Sequence, residues 1–388
     1  MQPTQTLTDA KSVYIIAGEI SGDTMASKIV SALRKLDNKI QFYGVGGDAM
    51  KQVGITSLFN IEQISLMGFL EILPHIFTLK HLIQMTAEDI RSKAPDIVVT
   101  IDSPGFCYRV AKLVRQISPD TKLVHVVAPS VWVYKPERAK KFAAIYDHLL
   151  TLLSFEPPYF EKEGLASTFI GHPVFEQDFN KSNDFRARHK IDSDTKLIVV
   201  TPGSRKGEIN RHMPIFKNAL EDLSKHYPKC LICFTIAGHE DLLLAHLKHA
   251  TFKYIIVTKD ERLESYSAAD VALAKSGTNT LEIAASNTPM IVAYKLNFFT
   301  ALILKMLIKI KYASLINIIA DREIIPEFLQ SRCEAKALYM ALEEILDNPK
   351  AGKKKASNAR AILKKMGYGS QTKSSEKAGD IIYKIMTS

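Results

Sequence analysis

Ser12–Asp23 reads SVYIIAGEISGD: a short run with a continuous apolar centre, then a glycine, then the opening of an amphipathic stretch. A strand that is apolar on both faces must be covered on both faces, which belongs to a parallel sheet between helices. The pattern recurs outward from this point. Strands are predicted near 12–17, 40–45, 96–101, 122–127, 148–152 and 167–170, and again near 196–201, 230–236, 254–257, 270–274 and 289–293. Helical periodicity lies between them, so the fold class is α/β, with two Rossmann-like, doubly wound domains. A polar stretch with Gly171, Pro173 and Gln177–His189 marks the boundary between them. The expected division is an N-terminal domain over 1–172, a linker over 173–194 and a C-terminal domain over 195–365.

At 388 residues the chain has room for two such cores. Apolar residues make up 46% and charged residues 24%, which excludes disorder, collagen and a coiled-coil rod. Lysine and arginine number 51 against 41 acidic residues, a net charge of +10 that favours an anionic partner. Basic and aromatic residues are not interleaved and no recognition motif appears, so nucleic acid is not the expected partner. The four cysteines, Cys107, Cys230, Cys233 and Cys333, form no disulfide framework. Cys230 and Cys233 share a predicted strand at i and i+3 and so point to opposite faces, which argues against joint metal or redox chemistry. No signal peptide and no membrane-spanning run is expected.

In doubly wound sheets ligands bind beyond the carboxyl ends of the strands. Five loops fall there. The first holds Gly18, Glu19, Ser21, Gly22 and Asp23; its two carboxylates argue against a pyrophosphate and suit sugar hydroxyls, with Asp23 as a helix cap the equal alternative. Gly44-Val45-Gly46-Gly47 is either a tight βα turn or a loop that admits a ligand. Thr100–Gly105 places Asp102 just past a buried strand, as a candidate general base or a cap for a helix over 106–115. Gly203, Ser204 and Arg205 follow the first strand of the second domain, where glycine, hydroxyl and a planar cation suit a diphosphate. Lys275, Ser276, Gly277 and Thr278 form a second loop of that kind. Glu282, one helical turn beyond Thr278, can accept hydrogen bonds from a ribose diol. His125 and His172 read as structural histidines, and no metal motif is present.

Two apolar segments suit the headgroup region of a membrane. Ile61–Met85 includes Met67, Phe69, Leu70, Ile72 and Leu73, and 298–311 includes Phe298, Phe299, Lys305 and Lys309. Both are too short or too charged to span a bilayer, and buried core helices are the alternative. The net positive charge favours an anionic membrane surface.

The motifs AGEISGD (17–23), GVGGDAM (44–50), ISLMGFLEILP (64–74), TIDSP (100–104), APSVWVYKPERAKK (128–141), FEPPYF (155–160), FIGHP (169–173), TPGSRKGEI (201–209), KSGTNTLE (275–282) and YASLINIIADREIIPEFLQ (312–330) occur in that order, with Cys333 after them. Together they resemble the lipid-A-disaccharide synthase family of GT-B glycosyltransferases. The resemblance implies two domains facing across a cleft and a tail over 366–388, whose packing on the N-terminal domain it leaves open. It implies inverting transfer of 2,3-diacylglucosamine from UDP-2,3-diacylglucosamine to 2,3-diacylglucosamine 1-phosphate, with no cofactor or metal, at the cytoplasmic face of the inner membrane. Asp102 matches the family's base, and Arg205, Glu282 and Asn317 match nucleotide-site positions. A UDP-sugar epimerase or a transferase with a soluble acceptor is the alternative. Gly105, Cys107, Ile316 and Lys275 depart from the family pattern; Lys275 is an expected second phosphate contact.

Overall fold

The computed structural model describes residues 10–64, 76–179, 184–297 and 311–388. It divides into two compact units. Unit 1 runs to Pro173 and takes in Ser370–Ser388; unit 2 is Val174–Gly369.

Unit 1 alternates strand and helix as β1 (Ser12–Ala17), α1 (Ile20–Leu36), β2 (Gln41–Val45), α2 (Asp48–Gln52), α3 (Ile76–Lys93), β3 (Ile97–Ile101), α4 (Pro104–Ile117), β4 (Lys122–Val126), α5 (Arg138–Ala143), β5 (His148–Thr151), α6 (Pro157–Glu161) and β6 (Ala166–Phe169). The strands form one parallel sheet in the order β2-β1-β3-β4-β5-β6. Val13–Ala17 and Ile97–Ile101 are almost wholly buried, as strands covered on both faces must be. The order reverses between β1 and β3. Helices leaving two such neighbours go to opposite faces and open a crevice at the carboxyl ends. The loop after β1 and the Asp102 turn after β3 border that crevice.

Unit 2 begins with α7 (Phe185–Arg188) and continues through β7 (Lys196–Thr201), α8 (Lys206–His226), β8 (Cys230–Thr235), α9 (Glu240–Leu247), β9 (Tyr254–Val257), α10 (Arg262–Ala268), β10 (Val271–Lys275), α11 (Asn279–Ala285), β11 (Met290–Tyr294), α12 (Leu315–Ala320), β12 (Glu327–Leu329), α13 (Ala335–Asp347) and α14 (Pro349–Leu363). Its parallel sheet is ordered β12-β11-β10-β7-β8-β9, so its reversal lies between β7 and β10. These are the strands that carry the two glycine-hydroxyl loops. The short edge strand β12 was not anticipated; three residues are too few to show a period.

Residues from Val174 onward, expected within a linker, bond into unit 2. Gln177 donates to Glu282 (3.0 Å), and Arg186 reaches the Ala268 carbonyl (3.1 Å) and Asp270 (2.9 Å). The last helix, α15 (Ser374–Thr387), lies on α1 in unit 1. Its Ala378, Ile382 and Met386 join the same core as Ile29 and Leu33. Cys230 and Cys233 are buried and unbridged on β8, and burial lifts the Cys233 thiol to about 12.

The approach of α15 to α1 depends on Gly379, where a Cβ would stand 2.9 Å from the Ala32 methyl carbon. Gly379→Leu should therefore push the helices apart and destabilise unit 1 by about 1–3 kcal/mol. Urea unfolding followed by circular dichroism checks this.

Candidate active site

Gly18 packs against the turn that carries Asp102. A Cβ at Gly18 would fall 2.0 Å from the Ser103 Cβ, so only glycine lets the two loops meet. The Gly18 N–H donates to the Ile101 carbonyl at 3.3 Å. Asp23 is structural, because its carboxylate accepts from the N–H groups of Gly47, Ala49 and Met50 at 2.7, 2.8 and 3.2 Å. The residue is buried, and these bonds pin the start of α2 to α1. The glycine-rich 44–47 loop thus serves Asp23, and the expectation that Asp23 faces a sugar gives way to its cap reading. Glu19 is the half-buried residue preceding α1, and Ser21 is exposed in its first turn.

Asp102 and Ser103 both adopt left-handed backbone, with φ of 55° and 41°, and Val127 on the adjoining strand end has φ 77°. For a β-branched valine this conformation is costly, of order 1–3 kcal/mol, and such strain gathers where a site demands it. All three lie at one place. Asp102 and Val127 line a cavity of about 320 Å³ with Pro104, Ser130, Tyr134 and Arg138. The Ser103 N–H donates to Asp102 Oδ1 at 2.7 Å; Oδ2 has no partner among the described residues. Burial raises the Asp102 pKa above the ordinary aspartate range, and the Ser103 N–H offsets only part of this. Cys107 is fully buried behind the turn, its thiol pushed up by burial and by the Asp102 charge. Gly105 is exposed with open space around it. Neither position supplies a second carboxylate or amide here. His125 is buried and hydrogen-bonds Thr100 (2.7 Å); burial drives its pKa down to about 3, so it stays neutral.

The cavity wall 128–138 is anchored from below. The only tryptophan, Trp132, donates Nε1–H to Glu156 Oε1 (3.3 Å), and the Leu153 N–H reaches Oε2 (3.1 Å). Burial lifts the Glu156 carboxyl to about 7 against those two donors.

In unit 2, Gly203 has φ 127°, and a Cβ there would meet Glu208 Oε2 at 2.7 Å. Glu208 comes that close because it ties the loop together. Its Oε2 accepts from the Ser204 N–H (3.2 Å), and its Oε1 pairs with Lys275 Nζ (3.0 Å). Burial opposes ionisation of Glu208, but the Lys275 ammonium overcomes it and holds the carboxyl below its usual range. This pair cross-links the loops after β7 and β10. His212 adds a second clamp, with Nδ1 on the Pro202 carbonyl (3.0 Å) and Nε2 accepting from the Lys295 N–H (3.0 Å). It is neutral, because burial takes its pKa to about 4. Ser276 donates to the Ala313 carbonyl (3.0 Å), while Gly277 and Thr278 lead into α11. Arg205 is exposed and makes no side-chain bond among the described residues. Glu282 is buried: Oε1 takes Arg262 (2.6 Å) and Gln177 (3.0 Å), and Oε2 has no partner among the described residues.

Asn317 is the clearest departure from expectation. Its Oδ1 accepts from the Ile324 and Ile325 N–H groups (2.7 and 3.0 Å). Its Nδ2 donates to the Ile325 carbonyl (2.8 Å) and Glu327 (2.7 Å). Every bonding capacity of the amide is used in holding 313–327 together, so no side-chain group remains for a nucleotide. Met67, Phe69, Leu70, Ile72, Leu73, Phe298, Phe299, Lys305 and Lys309 lie outside the described residues. No helix among the described residues is long and apolar enough to cross a membrane.

Residues 13–382 match the family model described as lipid-A-disaccharide synthetase. The chain belongs to this family. The lipid-A-disaccharide synthase of Rickettsia bellii (strain OSU 85-389) is 51% identical over 377 residues, which cover 96% of this chain and 98% of that protein. That of Rickettsia prowazekii is 47% identical over 376 residues, with the same coverage. Lipid-A-disaccharide synthase activity, a glycosyl transfer in lipid A biosynthesis, follows from this membership. Among solved structures, a putative UDP-N-acetylglucosamine 2-epimerase from Listeria monocytogenes aligns with TM-score 0.64 at 13% identity, covering 94% of this chain and 98% of that one. A glycosyltransferase of kitacinnamycin aligns with TM-score 0.63 at 14% identity, covering 97% and 99%. At such identities these share the two-domain GT-B fold and nothing finer, so the epimerase alternative gains no support.

Arg138, Glu208, His212 and Arg262 carry site geometry that the sequence reading did not assign. Glu208 and Arg138 stood inside quoted motifs, TPGSRKGEI and APSVWVYKPERAKK; Arg262 and His212 carried no local signal.

Asn317→Ala strips bonds from one buried and one half-buried N–H group and from Glu327, and should cost about 2–4 kcal/mol in urea unfolding. UDP affinity of the folded fraction, read by calorimetry, should stay unchanged; a loss of affinity without a loss of stability would restore a nucleotide contact. Glu156 binds its proton more tightly folded than unfolded, so its contribution to stability falls as pH rises from 4.5 to about 7. The unfolding free energy of Glu156→Gln relative to wild type should therefore climb across that window by of order 3 kcal/mol and then level off.

Proposed function

We propose that this synthase transfers 2,3-diacylglucosamine from UDP-2,3-diacylglucosamine to the 6-hydroxyl of 2,3-diacylglucosamine 1-phosphate. The observation that carries the reading is Asp102: a strained, desolvated carboxylate at the strand-order reversal of unit 1 that lines the cavity, with Oδ2 unpartnered among the described residues. Oδ2 takes the acceptor proton as the acceptor oxygen attacks C1 of the donor. The C1–O bond to UDP breaks on the opposite side, and the configuration inverts to the β-1,6 linkage. Burial suits Asp102 to this role, because a weaker acid is a stronger base.

The leaving diphosphate needs cations and N–H donors held in place beforehand. Arg205 is the free fork for it, and Gly203 and Ser204 offer backbone N–H groups at the start of α8. Lys275 ends β10 just before the second loop, its ammonium close to Gly277 and balanced by Glu208. Glu282 offers Oε2 to the ribose diol, while Arg262 and Gln177 fix its Oε1. Gly18, Glu19, Ser21 and Gly22 border the acceptor side. The two apolar segments, 61–85 and 298–311, hold the enzyme on the cytoplasmic face of the inner membrane, where both lipid substrates reside.

Asp102→Ala should abolish UDP release from the paired substrates while UDP still binds, and Arg205→Ala or Glu282→Ala should weaken UDP binding about tenfold or more. The acid limb of kcat/KM should lie above the ordinary aspartate range, with activity rising as pH rises through it. Full turnover by Asp102→Ala would remove Asp102 from the role of base.

A further inference from the structure

Arg138 has no part in the mechanism above, yet it shares a cavity with Asp102. It is half-buried at the start of α5, and among the described residues its guanidinium makes no hydrogen bond or ion pair. Arg115 of the same unit behaves otherwise: it bonds the carbonyls of Pro119, Thr121 and Ile145 and pairs with Asp147. A cation that has lost part of its water and gained no partner is unfavourable on its own. Its neighbour Glu137 is exposed and forms no ion pair with it, and the Glu137 charge offsets only part of what burial costs the guanidinium. Ser130 and Tyr134, on the same wall, present hydroxyls with no partner among the described residues.

We infer that Arg138 receives the phosphate of the acceptor, making the cavity beside Asp102 a binding site for a sugar phosphate monoester. The inference rests on the transfer reaction proposed above. An arginine fork matches two phosphate oxygens at once, and the Ser130 and Tyr134 hydroxyls can donate to a third. A volume of about 320 Å³ is at the small end of ligand sites and suits one sugar ring with its phosphate; the acyl chains must leave it. The two charged groups also set direction. On an α-D-glucosamine 1-phosphate pyranose the C6 hydroxymethyl group and the phosphate lie on opposite faces of the ring. Phosphate at Arg138 therefore brings the hydroxyl to Asp102, whereas the reversed pose sets a dianion against a carboxylate.

The test compares wild type, Arg138→Gln and Arg138→Lys in the full chain, following UDP release with 2,3-diacylglucosamine 1-phosphate and with the same acceptor lacking phosphate. Arg138→Gln should raise KM for the phosphorylated acceptor about tenfold or more and leave KM for the UDP donor within twofold. On the phosphate-free acceptor it should match wild type, and Arg138→Lys should recover part of the loss. An unchanged KM for the phosphorylated acceptor, or an equal loss on both acceptors, would overturn the inference and leave the transfer reaction standing. Should Arg138→Gln not fold, wild type decides. Glucosamine 1-phosphate should change the fluorescence of Trp132 and compete with the acceptor, and glucosamine should do neither; equal effects of both compounds refute the site. No UDP release by wild type with either acceptor would defeat the transfer reading, and this inference with it.

Discussion

A parallel sheet whose strand order reverses leaves a gap at its carboxyl edge, because the helices after the two central strands depart to opposite faces. Everything chemical in this protein depends on that constraint, met once in each unit. In unit 1 the gap lies between β1 and β3 and holds the Asp102 turn with the Gly18 loop packed on it, and a cavity of about 320 Å³ opens on the other side of that turn, along the segment after β4. In unit 2 it lies between β7 and β10 and holds two loops bound to each other through Glu208 and Lys275. The chain builds two crevices with one device and lines them differently: the Asp102 carboxylate borders one, and the Glu208–Lys275 pair with the exposed Arg205 borders the other.

Charge pairing sorts the polar residues by what they can do. Arg262 and Lys275 are tied to buried carboxylates, Glu282 and Glu208, and so act on the shape of the site. His212 and Asn317 are neutral clamps with their bonding capacity committed to backbone groups and Glu327. Arg205 and Arg138 have no such commitment among the described residues. Breaking a buried pair leaves an uncompensated charge, so paired groups resist recruitment by a ligand. Unpaired guanidinium groups are the ones a phosphate can engage at low cost, which is why Arg205 and Arg138 are the residues proposed to bind anions.

Much of the fold was legible along the chain. Continuous apolar strands such as Ile97–Ile101 and Lys196–Thr201 were placed within a residue or so, since burial on both faces leaves no polar position to blur the period. The edge strand Glu327–Leu329 was not, because three residues, one buried and two half-buried, have no period. The linker reading of 173–194 rested on its polar composition. Arg186, Gln177 and Arg188 are polar there because their partners Asp270, Glu282 and Glu264 wait in unit 2. Composition cannot tell a residue solvated by water from one solvated by protein.

The α/β class, the strand–loop–helix units, the family, and Asp102, Arg205 and Glu282 as candidates could all be read from the chain alone, because they depend on local period and on residues adjacent in sequence. What each polar side chain faces emerged only in the folded molecule. The folded molecule shows Asp23, readable as a cap or a sugar contact, capping α2; it closes Asn317 within its own loop, pairs Lys275 with Glu208 and leaves Arg138 without a bond among the described residues beside Asp102. The reason is physical: a carboxylate or a cation takes its role from what neutralises it, and that partner is most often distant in sequence.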